Sequence, residues 1–141
     1  MILILAAAAM VAQTAPPEAA WTWTLYTDTA PVVLANEIPD TANLRVILEC
    51  DPGTSVARVT LYGAAMSGMA RVTAGEAVAV AEAEPARGGG TRVTLRTDHP
   101  AFAAFAANGR MSLLIGEARR PVDVPSAHLA KLRRFSELCS A

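Results

Sequence analysis

Nine short runs of alternating apolar and polar residues fill most of the sequence, and residues that favour turns separate them. In the run 44–50, the even-numbered positions are Leu, Val, Leu and Cys, whereas Arg45, Ile47 and Glu49 face the other way. The runs are 21–27, 31–34, 44–50, 57–62, 69–73, 77–83, 91–97, 110–115 and 119–124. Many short strands at this spacing predict a mainly β fold, an antiparallel β-sandwich or barrel.

Two segments break the strand pattern and predict helices that cover the apolar face of the sheet. The first is a short helix near 99–108, with an early proline, Asp98 as its capping residue and Gly109 at its end. Phe102 and Phe105 would lie on one face of this helix.

The second helix is predicted near 126–140, with Ser126 as its N-cap. Its apolar stripe has helical spacing and consists of Leu129, Leu132, Phe135 and Cys139. Lys131 and Arg134 are expected to point away from that stripe.

The composition favours one globular domain. The chain has 141 residues, 52% of them hydrophobic and 18% charged, with a formal net charge of −1. A disordered chain has far fewer apolar residues, and a general nucleic-acid binder carries a surplus of positive charge. Disorder and broad nucleic-acid binding are therefore excluded as leading interpretations.

The N-terminal residues 2–11 form an apolar run without charge. The run is shorter than the roughly 20 residues needed to cross a bilayer, but it fits the apolar region of a secretory signal. We expect a signal peptide at 1–12, with cleavage as late as Ala15, a flexible linker at 13–20 and a single β-rich domain at 21–141. The mature chain would then have no membrane span and be periplasmic or secreted. An N-terminal core helix is the alternative.

The chain has two cysteines, Cys50 and Cys139. In an oxidising compartment an even cysteine count indicates a disulfide, and only one intramolecular pairing exists here. Two free buried thiols are an alternative, and a metal site would need further ligands at short spacing. No metal and no cofactor are expected.

Two sets of residues are candidates for a binding face. Arg58, Arg71 and Arg92 occur in similar short elements and would face outward together if their strands were neighbours, as an anion- or partner-binding face. The alternative is a solvated sheet face. Trp21 and Trp23 share a strand face and would form an aromatic platform for a ligand or glycan, or else pack in the core.

Catalytic signals are weak, and no catalytic residue is assigned. His99 and His128 lie near predicted helix starts without metal ligands at suitable spacing. A small secreted hydrolase that uses either histidine is one alternative, and it requires a nucleophile within hydrogen-bond reach in a concave pocket. A protease-inhibitor-like domain with a protruding loop at Gly63–Gly68 is another.

The order of elements is loosely similar to the invasion-associated locus B type of domain and to other small periplasmic or secreted proteins of alphaproteobacteria. The matching features are the leader, the early Trp-rich strand, the segment Leu48-Glu49-Cys50-Asp51-Pro52-Gly53 and the Phe135-x-x-x-Cys139 ending. The resemblance implies a β-rich, exported, disulfide-linked domain and carries over no catalytic residues. We therefore expect a monomeric binding or envelope accessory protein, whose partner is another envelope or secreted protein.

Overall fold

The structure is a computed structural model that describes residues 15–141. The predicted signal peptide at 1–12 and the first two linker residues lie outside this part of the chain. Within the remaining linker, Glu18–Ala20 form one 3-10 turn, whose closing hydrogen bond runs from the Trp21 amide to the Glu18 carbonyl.

The strands form a single antiparallel sheet, and every neighbouring pair in it is antiparallel. The strands are β1 Thr22–Tyr26, β2 Val32–Glu37, β3 Leu44–Cys50, β4 Val56–Tyr62, β5 Gly68–Ala74, β6 Ala77–Ala86, β7 Gly90–Arg96, β8 Arg110–Ile115 and β9 Ala118–Asp123. Their order in the sheet is β1-β2-β3-β4-β7-β6-β5-β8-β9. The sheet curls as a half-barrel, so β1 and β9 are its two edges.

The mainly β, antiparallel fold with two helices is confirmed, and each predicted run overlaps an observed strand. The sequence left open a sandwich or a barrel. What the described residues form is one continuous curled sheet.

The core lies on the concave face of the sheet, where two helices pack. Helix α1 (Pro100–Asn108) contacts β5, β6 and β8, and helix α2 (Leu129–Cys139) contacts β1, β2 and α1. Phe102, Phe105 and Phe135 are almost completely buried between the helices and the inward-facing strand residues. Full burial of each such side chain contributes about 1.5–3 kcal/mol, so the helices supply a large part of the apolar core.

Helix α1 has a different N-cap from the one predicted. The Nδ1 atom of His99 accepts a hydrogen bond from the Ala101 amide at 3.0 Å, so His99 is the cap. Asp98 instead accepts two hydrogen bonds from the Arg96 guanidinium, at 2.8 and 2.9 Å. The assignment of Asp98 was wrong because this strong local partner occupies its carboxylate. Gly109 ends the helix as predicted, with a left-handed φ of 78°.

The N-cap predicted for the second helix was also wrong. Ser126 begins a 3-10 turn, Ser126–His128, because the chain turns tightly after Pro125 and the His128 amide donates to the Pro125 carbonyl at 2.8 Å. The α-helix proper begins at Leu129. Its apolar stripe is confirmed, with Leu132, Phe135 and Cys139 buried and Leu129 half-buried.

The predicted disulfide between Cys50 and Cys139 is confirmed. It joins the last residue of β3 to the last residue of α2, and both cysteines are completely buried. The Ser55 amide also donates to the Cys139 carbonyl, at 2.7 Å. The C-terminal end of α2 is therefore held against the β3–β4 turn by a covalent bond and by backbone hydrogen bonds.

Removal of the disulfide by the double substitution Cys50→Ala and Cys139→Ala should lower the free energy of unfolding by about 4–5 kcal/mol. The bridge spans 89 residues, and the entropy that a closed loop removes from the unfolded chain increases with its length. Urea denaturation of both proteins, with and without reductant, measures the difference. Reductant should shift the midpoint of the native protein only. Equal midpoints for all four samples would contradict the prediction.

Candidate functional site

A cleft of about 550 Å³ is lined from both edge strands of the sheet. We call it the Trp cleft. Its lining residues are Glu18, Trp21, Trp23, Asn36, Leu44, Arg45, Val46, Tyr62, Gly63, Arg120, Pro121, Val122, Asp123, Pro125 and His128. Its volume is in the range of small-molecule sites, and the mouth of a curled sheet is a common position for them.

An aromatic and ionic stack forms one wall of the Trp cleft. The Arg45 guanidinium lies 4.0 Å from the ring centroid of Trp21 and donates two hydrogen bonds to the Glu18 carboxylate, at 2.8 and 2.9 Å. These hydrogen bonds lower the pKa of Glu18 and raise the pKa of Arg45. Both groups therefore stay ionised, and their charges offset each other at the wall.

Two polar residues occupy inward-facing positions that apolar residues fill elsewhere. Asn36 follows Val32 and Leu34 on the concave face of β2, and its amide donates to the Thr22 carbonyl at 3.2 Å. Arg120 lies opposite the buried Leu113 in the β8–β9 pairing. Its Nη2 atom donates to the Tyr62 carbonyl at 2.7 Å, so Arg120 reaches from the β9 edge to the end of β4.

His128, in the 3-10 turn before α2, forms another part of the wall, and Lys131 of α2 lies beside it. The Nζ atom of Lys131 donates to the Trp23 carbonyl at 2.7 Å and lies 3.2 Å from the Nδ1 atom of His128. Lys131 points away from the apolar stripe as expected, but it is half-buried and bound to the edge strand. Burial, and then the positive charge of Lys131, lower the pKa of His128 below its ordinary 6.5. His128 is therefore mainly neutral at pH 7.

This arrangement is suited to binding. Aromatic rings provide apolar contact area, and Asn36 and Arg120 provide directed hydrogen bonds. Among the described residues, the hydrogen-bond partner of the His128 ring is Lys131, whereas a hydrolase would place a hydroxyl, thiol or carboxylate there.

The other residues considered for activity lie elsewhere. The His99 ring caps α1. The loop Gly63–Gly68 is tied to the sheet by the buried Thr91, whose hydroxyl donates to the Ala64 carbonyl at 2.7 Å and accepts from the Met66 amide at 2.9 Å.

The three arginines predicted to form one face are only partly brought together. Arg58 and Arg92 face outward on the paired strands β4 and β7. Arg58 pairs with Thr94 and Arg92 pairs with Thr60, so the two arginines are diagonal neighbours on this face. Arg71 lies on β5, which β6 separates from β7. Arg58 lies 3.5 Å from a Glu49 oxygen, and Arg92 lies 3.2 Å from a Glu84 oxygen. Neighbouring carboxylates thus offset the positive charge of the adjacent pair.

Both interpretations of the tryptophans have a counterpart in the structure. Trp23 is in the core with 4% of its surface exposed, and Trp21 is half-buried. Both rings line the Trp cleft. Asn36 and Arg120 were not predicted as site residues, although a polar residue at an inward position of an alternating strand was a usable signal for each.

No three His, Cys, Asp or Glu side chains within residues 15–141 are arranged to hold a metal ion. No helix in the same part of the chain combines the length and apolar character needed to cross a membrane.

Comparison with family models, with curated proteins and with solved structures gave no match. The resemblance stated from the sequence therefore stays an expectation.

Substitution of Lys131 by Gln should raise the pKa of His128 but leave it below 6.5, because burial is the larger cause of the shift and persists. NMR titration of the imidazole measures both pKa values. Arg133→Gln, on the exposed side of the same helix, is the matched control and should leave the titration unchanged.

The lowered pKa also gives the sign of the pH dependence of stability. The unfolded chain binds a proton at His128 at a higher pH than the folded chain does. The contribution of His128 to the free energy of unfolding is therefore fully present above about pH 6.5, and it is lost as the pH falls through the lower pKa of the folded state. A His128 that titrates at or above 6.5 would contradict both statements.

Proposed function

We propose that the protein is exported to the periplasm or secreted, and that it acts there as a binding domain for another envelope or secreted protein. The observation that carries the binding role is the Trp cleft, in which aromatic and arginine side chains converge between the two edges of one sheet.

The residue types in the cleft support a protein partner. Trp, Tyr and Arg are enriched at the energetically dominant positions of protein–protein interfaces. The cleft combines Trp21, Trp23 and Tyr62 with Arg45 and Arg120. Its volume corresponds to a short segment of a partner chain rather than to a whole domain surface.

Two further observations support export. The uncharged apolar run at residues 2–11 has the length of a signal-sequence core, and a buried disulfide is typical of proteins that fold in an oxidising compartment. The loose similarity to the invasion-associated locus B type of domain also supports export.

Export is tested by the intact mass of the protein recovered from its native host, with thiols alkylated before and after reduction. The expected mass lacks residues 1–12, or as many as 1–15, and alkylation occurs only after reduction. A full-length chain whose two thiols react without reduction would overturn the proposed export and direct the search to a cytosolic role.

The binding role is tested by photo-crosslinking in the native host. A crosslinking side chain at position 123, on the rim of the Trp cleft, should give a defined adduct with one partner. The same group at position 80, exposed on the convex face, is the matched control and should give none.

The same crosslinking experiment is repeated in a Trp21→Ala variant, which removes one wall of the cleft but no fully buried core residue. It should reduce the adduct at position 123 about tenfold or more, since aromatic anchors carry much of the energy of an interface. Equal adducts from positions 123 and 80, or an adduct that is insensitive to Trp21→Ala, would contradict binding in the cleft.

A further inference from the structure

We propose that the Trp cleft recognises a carboxylate with an adjoining apolar group, and that Arg120 is the residue that binds it. This inference rests on the proposed function and gives the chemical class of the bound segment.

All but one of the half-buried arginines in the described part of the chain lie beside a carboxylate. Within residues 15–141 there are four of them, and three lie within 4.0 Å of a carboxylate: Arg45 of Glu18, Arg58 of Glu49 and Arg92 of Glu84. Arg120 is the fourth, and no carboxylate of the described residues lies within that distance. A partly buried cation without a counter-charge is unfavourable, because burial removes water that solvates it.

The hydrogen bonding of Arg120 leaves room for a ligand. Its side chain projects to the concave side, and its hydrogen bond to a protein acceptor runs from Nη2 to the Tyr62 carbonyl. A guanidinium has five N–H donors in a planar fork. A carboxylate in the cleft would accept two of them side by side and also supply the missing negative charge.

The other charges around the cleft do not replace that ligand. The Glu18 carboxylate is engaged by Arg45. Asp123 is on the rim of the cleft, but it alternates with Val122 on β9, so its side chain leaves the strand on the opposite face from Arg120, and it lies opposite Arg110 in the strand pairing. Lys131 lies beside His128 and is bound to the Trp23 carbonyl and the His128 ring, so it supplies no negative charge to Arg120 either. Although Asp123 lines the same cleft, no carboxylate of the described residues lies within 4.0 Å of Arg120, so its guanidinium has no direct counter-charge.

The apolar part of the proposed ligand follows from the neighbours of Arg120. The half-buried Trp21 and Leu44 line the same cleft, beside the almost completely buried Trp23, Val46 and Val122. A ligand that places a carboxylate at Arg120 would thus place the adjoining atoms against apolar surface, where burial is favourable. A peptide C-terminus with an apolar last residue and an acidic side chain beside an apolar residue both have this chemistry.

Tryptophan fluorescence tests the proposal with small probes, because both tryptophans of the chain line the cleft. The probes are N-acetyl-phenylalanine, its uncharged amide, and N-acetyl-glutamyl-phenylalanine amide. The free acid presents a terminal carboxylate, the dipeptide amide presents a side-chain carboxylate, and the simple amide presents none. At least one carboxylate probe should bind tenfold or more tightly than the simple amide, and the tighter of the two identifies the source of the carboxylate.

The variants test the role of Arg120 directly. Arg120→Gln should weaken the carboxylate probe at least tenfold and leave the affinity of the simple amide unchanged. Arg120→Lys keeps the charge but not the planar fork, so its affinity should be intermediate. The matched control is Arg119→Gln, an exposed arginine next along β9 on the opposite face, which should bind as the native protein does.

Several results would overturn the proposal. The first is equal affinity of the native protein for the carboxylate probes and the simple amide. The second is an unchanged affinity of Arg120→Gln for the carboxylate probe. The third is no binding of any probe up to about 10 mM, a concentration at which even a weak fragment occupies a matching site. If Arg120→Gln does not fold, because it loses the hydrogen bond to Tyr62, the acid–amide comparison on the native protein and Arg120→Lys decide. A cleft adduct at position 123 together with equal acid and amide affinities would reject the carboxylate while retaining the proposed function.

Discussion

The packing of two helices into the concave face of a single sheet is the interaction on which the rest of the structure depends. Phe102 and Phe105 from α1 contact each other edge to face with ring centroids 5.9 Å apart, and Leu132 and Phe135 from α2 are completely buried. A sheet that curls around this apolar content brings its edge strands, β1 and β9, to opposite sides of one cleft. The Trp cleft therefore exists because the curl stops short of closing the barrel.

The edge strands of a sheet carry unpaired backbone groups to which another chain can add as a strand. Both edge strands of this protein have a feature that restricts such pairing. At β1, the Trp23 carbonyl accepts a hydrogen bond from the Nζ atom of Lys131. At β9, Pro121 has no amide hydrogen to donate. A partner segment in the cleft would consequently be recognised mainly through side chains such as Trp21 and Arg120, rather than as an added strand.

Local patterns explain how much of this fold the sequence could predict. Alternation with period two is a property of each strand by itself, so all nine strands and the apolar stripe of α2 could be located. The pairing of β7 with β4 and of β5 with β8 depends on contacts between distant segments, which local alternation does not encode. For that reason Arg58 and Arg92 could be predicted to face outward, but the separate position of Arg71 could not.

The candidate site was partly predictable for the same reason. The alternation of side chains along a strand predicted that Trp21 and Trp23 share one face, and both line the cleft. Asn36 and Arg120 also have a local signal, since each interrupts an apolar face. Without the fold, however, the sequence could not place β2 and β9 on two sides of one cavity. Arg120 in particular became a candidate only when its missing carboxylate partner could be compared with the ion pair of Arg45.

The disulfide and the cleft are connected through α2. Cys139, at the C-terminal end of this helix, is bonded to the end of β3, whereas Lys131, near its start, holds the β1 edge beside the cleft. The rise of an α-helix places these two residues about 12 Å apart on one rigid element. Fixing Cys139 therefore restricts the position of Lys131 and of the cleft wall. Such preorganisation would lower the entropy lost on binding of the proposed ligand, so the bond that stabilises the fold would also favour binding near the other end of α2.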